Sequence, residues 1–85
     1  MDSAKYIMFN NNSLRVPIIF PYTVSHAEMA NHFPRWEVVS AGFVQWTKDG
    51  ILAYGNSITL NVKSHPSDTD FMRRYMCLAP NEDFS

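Results

Sequence analysis

The stretch FVQWTKDGILAY, from Phe43 to Tyr54, decides the fold class of this chain. Asp49-Gly50 lies there between two β-prone runs, Phe43–Thr47 and Ile51–Tyr54. An Asp-Gly pair between such runs is the strongest short-range signal of a β-hairpin. The sequence therefore predicts an antiparallel sheet built around this hairpin.

Upstream of the hairpin, three further β-prone runs extend the predicted sheet. The run from Trp36 to Trp46 is rich in valine and aromatic residues, and Gly42 within it indicates a bulge or a close approach of two backbones. Lys5–Phe9 and Leu14–Phe20 are joined by asparagines, which favour a turn. Pro17 has no N–H for a sheet ladder, so the second of these runs is predicted to be an edge or to carry a bulge.

A short helix is predicted between these strands. Ser25 and Glu28 form a capping box, in which each side chain accepts from the other residue's backbone N–H. Val24 and Met29 complete a hydrophobic staple around it. Pro34 stops a helix, so the prediction is a helix over residues 25–33.

The segment after the hairpin predicts more strand. Ile58, Leu60 and Val62 alternate with polar residues, which is the period of a half-buried strand. Gly55-Asn56 before them is either a second turn or a bulge in one long strand, and the sequence leaves both open.

A second helix is predicted to follow. Ser67 is its expected cap, with Asp68 and Asp70 in the first turn, and Pro80 ends it. The predicted order is ββαββ(β)α, an α+β fold. We expect two layers: one antiparallel sheet of four to five strands with both helices on one face. We expect one domain over residues 1–80 and a flexible C-terminal tail at 81–85.

Composition limits the classes of function. The 85 residues carry a net charge of −1, with neither half basic, so the electrostatic footprint of a duplex-binding protein is missing. The longest apolar segment, Val16–Phe20, is too short to span a bilayer. A single cysteine, Cys77, cannot form an internal disulfide, which favours a reducing compartment. We expect a soluble, intracellular protein that does not bind membranes.

Catalytic and metal-binding patterns are not apparent in the sequence. His26 and His32 are six positions apart, which on a helix turns them away from each other, and neither pairs with Cys77 at a zinc-like spacing. We expect both histidines to be surface or helix-end residues. Cys77 lies between Met76 and Leu78, where a thiol is inert. The prediction is a protein that is not an enzyme and holds neither metal nor cofactor.

By elimination, recognition of another protein is the class of function that remains. Aromatic residues make up 14% of the chain, and interfaces favour aromatic, Met and Arg side chains. With the helices on one face of the sheet, Trp36, Trp46, Tyr54 and Arg35 become candidate anchors on the other. The partner is a second protein or a second copy of this chain. The alternative is a weak single-stranded nucleic-acid-binding module, which would use the strand aromatics beside lysines and arginines.

Three short stretches carry a resemblance to known sequences: Val39–Val44, Tyr54–Ser57 and Lys63–Asp68, with Phe20-Pro21 before Val24–His26. Together they resemble a group of short, uncharacterised proteins encoded by tailed phages and prophages. The resemblance implies a small accessory protein of a phage or prophage that acts in the bacterial host cytoplasm. Together with the elimination above, it predicts a protein that binds a host or phage protein, with inhibition of that protein left open. It brings no catalytic residue. The same stretches are also explained without a function, as a strand with a glycine bulge, a turn and a helix cap. The alternative is that Ser40–Phe43 and Gly55–Ser57 lie side by side as a recognition surface, which adds Ser40, Phe43 and Ser57 to the candidate protein-binding residues.

Overall fold

A computed structural model describes residues 3–78 of the chain. The elements are β1 (Ser3–Asn11), β2 (Leu14–Phe20), α1 (His26–Ala30), β3 (Glu37–Thr47), β4 (Gly50–Tyr54), β5 (Asn56–Ser57), β6 (Val62–Lys63) and α2 (Asp68–Leu78). The first four strands form one antiparallel sheet in the order β2-β1-β3-β4, and β5 and β6 form a separate antiparallel pair. The predicted α+β class is confirmed, and the observed order is ββαββββα. The predicted tail at 81–85 lies outside the described residues.

The β1–β2 hairpin turns through Asn12 and Ser13, whose φ angles are 53° and 71°. Positive φ at both central residues is the type I′ turn, whose twist matches that of the strands. Asn11 and Leu14 close this loop, so alternation along β2 turns the backbone of Pro17 away from β1. The predicted edge position of Pro17 is thereby confirmed, since β2 ends the sheet.

The β3–β4 hairpin confirms the prediction made from Asp49-Gly50. Lys48 and Asp49 form its loop, and Gly50, paired with Thr47, has a φ of 113° that only glycine adopts without strain. The Thr47 hydroxyl reinforces the turn, since it accepts from Asp49 N and donates to the Gly50 carbonyl. Gly50 is therefore the first residue of β4 and not one of the two loop residues.

The chain leaves the sheet at Gly55, which has a φ of 81°. Asn56 already belongs to the separate β5–β6 pair, so one long strand with a bulge is excluded. The predicted alternating strand through Ile58 is wrong: residues 58–61 form the turn between β5 and β6. The Ser57 hydroxyl accepts from Leu60 N, and Asn61 adopts a φ of 57°, which together favour a turn over an extended strand.

The two helices lie on opposite faces of the sheet, so the predicted placement of both on one face is wrong. Along β1, Tyr6 and Met8 belong to the cluster that includes Met72 of α2. Ile7 and Phe9 belong to the cluster that α1 covers with Met29 and Ala30. A strand whose successive residues are all apolar is buried on both faces, and each face then needs its own cover. We call these sides of the sheet the α2 face and the α1 face.

The helix α1 begins as predicted and ends early. Both hydrogen bonds of the Ser25–Glu28 capping box are present. The helix spans five residues, His26–Ala30, and a looser turn follows it, with Phe33 N donating to the Ala30 carbonyl. The predicted end at Phe33 therefore overstates the helix by about one turn.

The helix α2 also seals one edge of the sheet. Ala53 N donates to Thr69 Oγ1 at 2.9 Å, and the same hydroxyl donates to the Ala53 carbonyl at 3.3 Å. Arg73 Nε donates to the Ile51 carbonyl at 2.8 Å. These backbone groups point away from β3, so side chains of α2 occupy positions that a further strand would need.

Candidate protein-docking surface

Part of the α1 face has no helix over it. The short helix α1 packs on β1 and β2, through the cluster that contains Ile7 and Phe20. Alternation along β3 and β4 places the cross-strand pairs Phe43–Tyr54 and Gln45–Leu52 on this same face. Phe43 lies against the ring of His26 at the start of α1, and the other three residues are exposed. We call these four residues the open strip.

The side chains of the open strip present apolar surface to solvent. Leu52 is 40% exposed and Tyr54 is 39% exposed. Phe43 is half-buried, and its ring centroid lies 5.9 Å from that of Tyr54. Gln45 opposite Leu52 is exposed and adds a polar group with both donors and an acceptor. The strip therefore combines rigid aromatic area with one adaptable polar side chain.

A pocket of about 210 Å³ adjoins the open strip. Its lining residues are Lys5, Ser25, His26, Phe43, Asn56, Ile58 and Thr59. Phe43 belongs to both features, so the two are continuous. Lys5 Nζ donates to the Val24 carbonyl at 2.9 Å, which holds the ammonium group at the pocket wall. We call this feature the Lys5 pocket.

His26 forms one wall of the pocket. It is the first residue of α1, which agrees with the predicted helix-end position, but it is buried and does not lie at the surface. Its ring lies edge-on to Phe20 and to Phe43, and Nε2 donates to the Gly42 carbonyl at 2.9 Å. Burial lowers the pKa of His26, and the nearby Lys5 charge acts in the same direction, against the hydrogen bond to Gly42. The positive charge at the pocket therefore comes from Lys5.

Of the predicted anchor residues, the structure brings only Phe43 and Tyr54 together. Trp46 lies opposite Ile51 on the α2 face and is 47% exposed. Trp36 is half-buried and packs edge-on against Phe9. Arg35, beside it, is exposed at the far end of the sheet from the open strip. Since these side chains are on different faces and ends of the sheet, they do not form one surface.

Ser40 and Ser57, the two predicted serines, are buried. The stretches that contain them do lie side by side: a Cβ on Gly42 would meet the Tyr54 carbonyl oxygen at 2.3 Å, so only glycine allows this approach. The Ser40 hydroxyl donates to Asp68, and the Ser57 hydroxyl accepts from the β5–β6 turn. Their hydroxyls therefore hold the fold together and are not displayed.

The Asp68 carboxylate, which accepts from Ser40, also accepts from two other residues. Its Oδ2 accepts from the Tyr6 hydroxyl, from Ser40 Oγ at 2.7 Å and from His65 N at 3.0 Å. Its Oδ1 is buried and has no partner among the described residues. Burial, together with the hydrogen bond to the carboxylate, raises the pKa of Tyr6. The sequence predicted Asp68 only as a helix-start residue, and nothing local indicated its burial.

Ser67, the predicted cap of α2, has a different contact. Its hydroxyl lies 2.8 Å from His65 Nδ1, and the same ring nitrogen accepts from Ser67 N. The turn before α2 is thus stabilised by His65. Sequence reasoning counted Lys5 only among the basic residues of the nucleic-acid alternative and missed Leu52 as a surface residue. Ile51, Leu52 and Ala53 are all apolar, so no alternation marked the exposed one.

Metal-binding arrangements are not evident in the part of the chain that the structure describes. Within residues 3–78, no group of three or more His, Cys, Asp or Glu side chains is placed to hold a metal ion. Neither described helix is both long and apolar enough to cross a bilayer. The side chain of Cys77 lies outside the described part.

Comparisons with known proteins leave the chain without a relative to argue from. No family model, no curated protein and no solved structure matches it. The resemblance to phage and prophage proteins therefore stays a prediction.

Proposed function

We propose that this chain is a small, non-enzymatic protein-recognition module that binds a host or phage protein through the open strip. The setting is that of a phage or prophage accessory protein acting in the bacterial cytoplasm. The observation that supports it is the cross-strand group Phe43, Leu52 and Tyr54, which leaves exposed apolar area beside the short helix α1 on the α1 face of the sheet.

The chemistry of the open strip favours a protein partner. Tyr54 and Phe43 offer large contact area at low conformational cost, which is why aromatic residues dominate binding hot spots. Exposed apolar side chains that adjoin one another mark interaction sites more often than scattered ones do. A β-sheet also holds these side chains at fixed spacing, so little order is lost on binding.

The alternative partner, single-stranded nucleic acid, is less well supported. The observation in its favour is that the rings of Phe43 and Tyr54 lie close to Lys5. Bases of a single strand stack on such rings, and a lysine beside them contacts the phosphates. Nucleic-acid affinity, however, depends on neutralising several phosphates, and the chain has a net charge of −1. One lysine beside two rings gives a weak and salt-sensitive contact.

Self-association through strand edges is disfavoured at both ends of the sheet. At the β4 edge, Thr69 and Arg73 already bond to the outward backbone groups. At the β2 edge, Pro17 removes a donor that a pairing strand would need. A second copy would therefore dock through side chains on a face of the protein, and not by extending this sheet.

The test compares capture of a partner by three forms of the chain. The double variant Leu52→Ser/Tyr54→Ser removes the apolar area of the open strip, while Leu14→Ser changes a still more exposed residue, 64% accessible, at the opposite end of the sheet. Tagged proteins are incubated with bacterial lysate, and the bound proteins are identified by mass spectrometry.

We expect one defined protein to be retained by the wild-type chain and by Leu14→Ser, and lost from the double variant. Equal capture by all three forms would refute the role of the open strip. Salt-sensitive retention on oligonucleotides in place of a protein would favour the nucleic-acid alternative. Light scattering on the purified chain separates a face-to-face dimer from a monomer.

A further inference from the structure

The Lys5 pocket adds charge to an otherwise neutral docking surface. A lysine ammonium has three donors, and the Val24 carbonyl takes one of the three from Lys5. Ser25, Asn56 and Thr59 contribute further polar side chains to the lining. None of the described residues that line the pocket is acidic. The pocket is therefore complementary to a negatively charged group.

The size of the pocket limits what enters it. Its volume of about 210 Å³ lies below the roughly 300–1,000 Å³ of sites for small-molecule ligands and cofactors. A single side chain fits such a space. Phe43 separates the pocket from Tyr54, so a group held by Lys5 lies close to whatever covers the open strip.

We propose that the Lys5 pocket binds the carboxylate of a partner's Asp or Glu side chain, while a neighbouring apolar side chain of the same segment lies over Phe43 and Tyr54. This inference rests on the proposed function and specifies the chemistry of the partner: an acidic residue next to an apolar one. The charge pair fixes the register of the segment on the strip, and the apolar contact supplies most of the affinity.

Two synthetic peptides test the proposal on the wild-type chain. N-acetyl-Leu-Glu-Phe-amide carries the carboxylate, and N-acetyl-Leu-Gln-Phe-amide replaces it with an amide of nearly the same shape. Each is titrated against ¹⁵N-labelled protein and followed by amide chemical shifts, up to roughly millimolar concentration. We expect the Glu peptide to bind about fivefold more tightly. The shifts should centre on Ser25, His26, Phe43 and Thr59.

Variants of Lys5 provide the matched controls. Lys5→Met keeps the length of the side chain and removes its charge, so the preference for the Glu peptide should disappear. Lys5→Arg keeps the charge and should keep the preference. In wild type the preference should shrink at about 0.5 M salt, because salt screens the pair. If Lys5→Met does not fold, the comparison of the two peptides on wild type still decides.

Equal affinity for the two peptides overturns the inference, as does an absence of shifts with either of them. Tighter, Lys5-dependent binding of a thymidine tetranucleotide also overturns it, in favour of a phosphate ligand. The inference and the proposed function fail separately. If partner capture is lost in Leu52→Ser/Tyr54→Ser but unchanged in Lys5→Met, the strip is the docking site and the pocket is not part of it.

Discussion

The Asp68 carboxylate joins segments that are far apart in the chain, because Tyr6, Ser40 and His65 all donate to it. Substituting Asp68→Ala leaves the buried Tyr6 and Ser40 hydroxyls and the partly buried His65 N–H without an acceptor. Each buried donor that loses its partner costs about 1–3 kcal/mol. We expect a loss of about 3 kcal/mol in the free energy of unfolding, measured by urea denaturation. Asp70→Ala changes an exposed carboxylate on the same turn and should alter stability little.

Tyr6→Phe keeps this prediction testable if Asp68→Ala does not fold. It removes one donor and leaves the ring in place, so its loss should be near 1 kcal/mol and smaller than that of Asp68→Ala. An effect of Asp68→Ala no larger than that of Asp70→Ala would contradict the role of the buried carboxylate.

His26 should make stability depend on pH. Its pKa is lowered by burial from an unfolded value of 6.5, so below that pH the unfolded chain binds a proton that the folded chain resists. Stability should therefore fall as the pH drops from about 7 to 5.5, by at most about 1.4 kcal/mol per unit. In His26→Gln this slope should flatten, because the amide can still donate to Gly42 without titrating. The exposed variant His32→Gln should keep the slope, and a flat wild-type profile would refute the argument.

At the scale of elements, the side chains of α2 protect the β4 edge. Thr69→Val/Arg73→Met removes the bonds to Ala53 and Ile51 while keeping the size of both side chains. The uncovered backbone groups then offer a template for a strand of another copy. We expect more self-association than in wild type, measured as an increase of apparent mass with concentration by light scattering. Arg74→Met, on an exposed position, is the control; association equal in both variants would contradict the sealing role.

Sequence predicted the elements whose determinants are local. The capping box at Ser25 and the Asp49-Gly50 hairpin each depend on residues within four positions, and both formed where expected. The same local view failed for residues 58–61, where alternation of apolar residues was outweighed by the Ser57 hydroxyl and the left-handed Asn61. In that segment a side-chain hydrogen bond that stabilises the turn outweighed the strand propensity and the apolar alternation.

Local sequence patterns were not enough to predict the face of the sheet on which each helix lies. Two faces of β1 are apolar, and nothing in α1 or α2 says which face it will cover. That choice depends on long-range pairs such as Tyr6 with Asp68 and Lys5 with the Val24 carbonyl. For the docking surface, Phe43 and Tyr54 could be predicted from strand aromatics, whereas the Lys5 pocket forms only when β1, α1 and the β5–β6 turn meet.

For the whole molecule, a shared central strand couples the two cores. Tyr6 and Met8 of β1 belong to one core, and Ile7 and Phe9 to the other, so neither core survives without the strand. Trp36 reports on the α1 side and Trp46 on the α2 side. We expect Trp36→Phe and Trp46→Phe, each leaving one indole, to show fluorescence transitions in urea that coincide with their own circular dichroism transitions.

Separate midpoints for the fluorescence and circular dichroism transitions in either variant would mean that one core opens alone. Coincident midpoints would also mean that the sheet unfolds only as a whole, so it stays ordered although Leu52 and Tyr54 are exposed on it. The sheet that displays them is held from both sides, and its rigidity is what a docking surface requires.

The dependence of β4 on later residues has a consequence for synthesis. Arg73 lies 22 positions after Ile51, the residue whose carbonyl it covers. At about 5–20 residues per second, a ribosome leaves that strand bare for roughly one to four seconds. Nascent chains arrested before Thr69 should therefore sediment as aggregates when released, whereas chains that include all of α2 should stay in the supernatant.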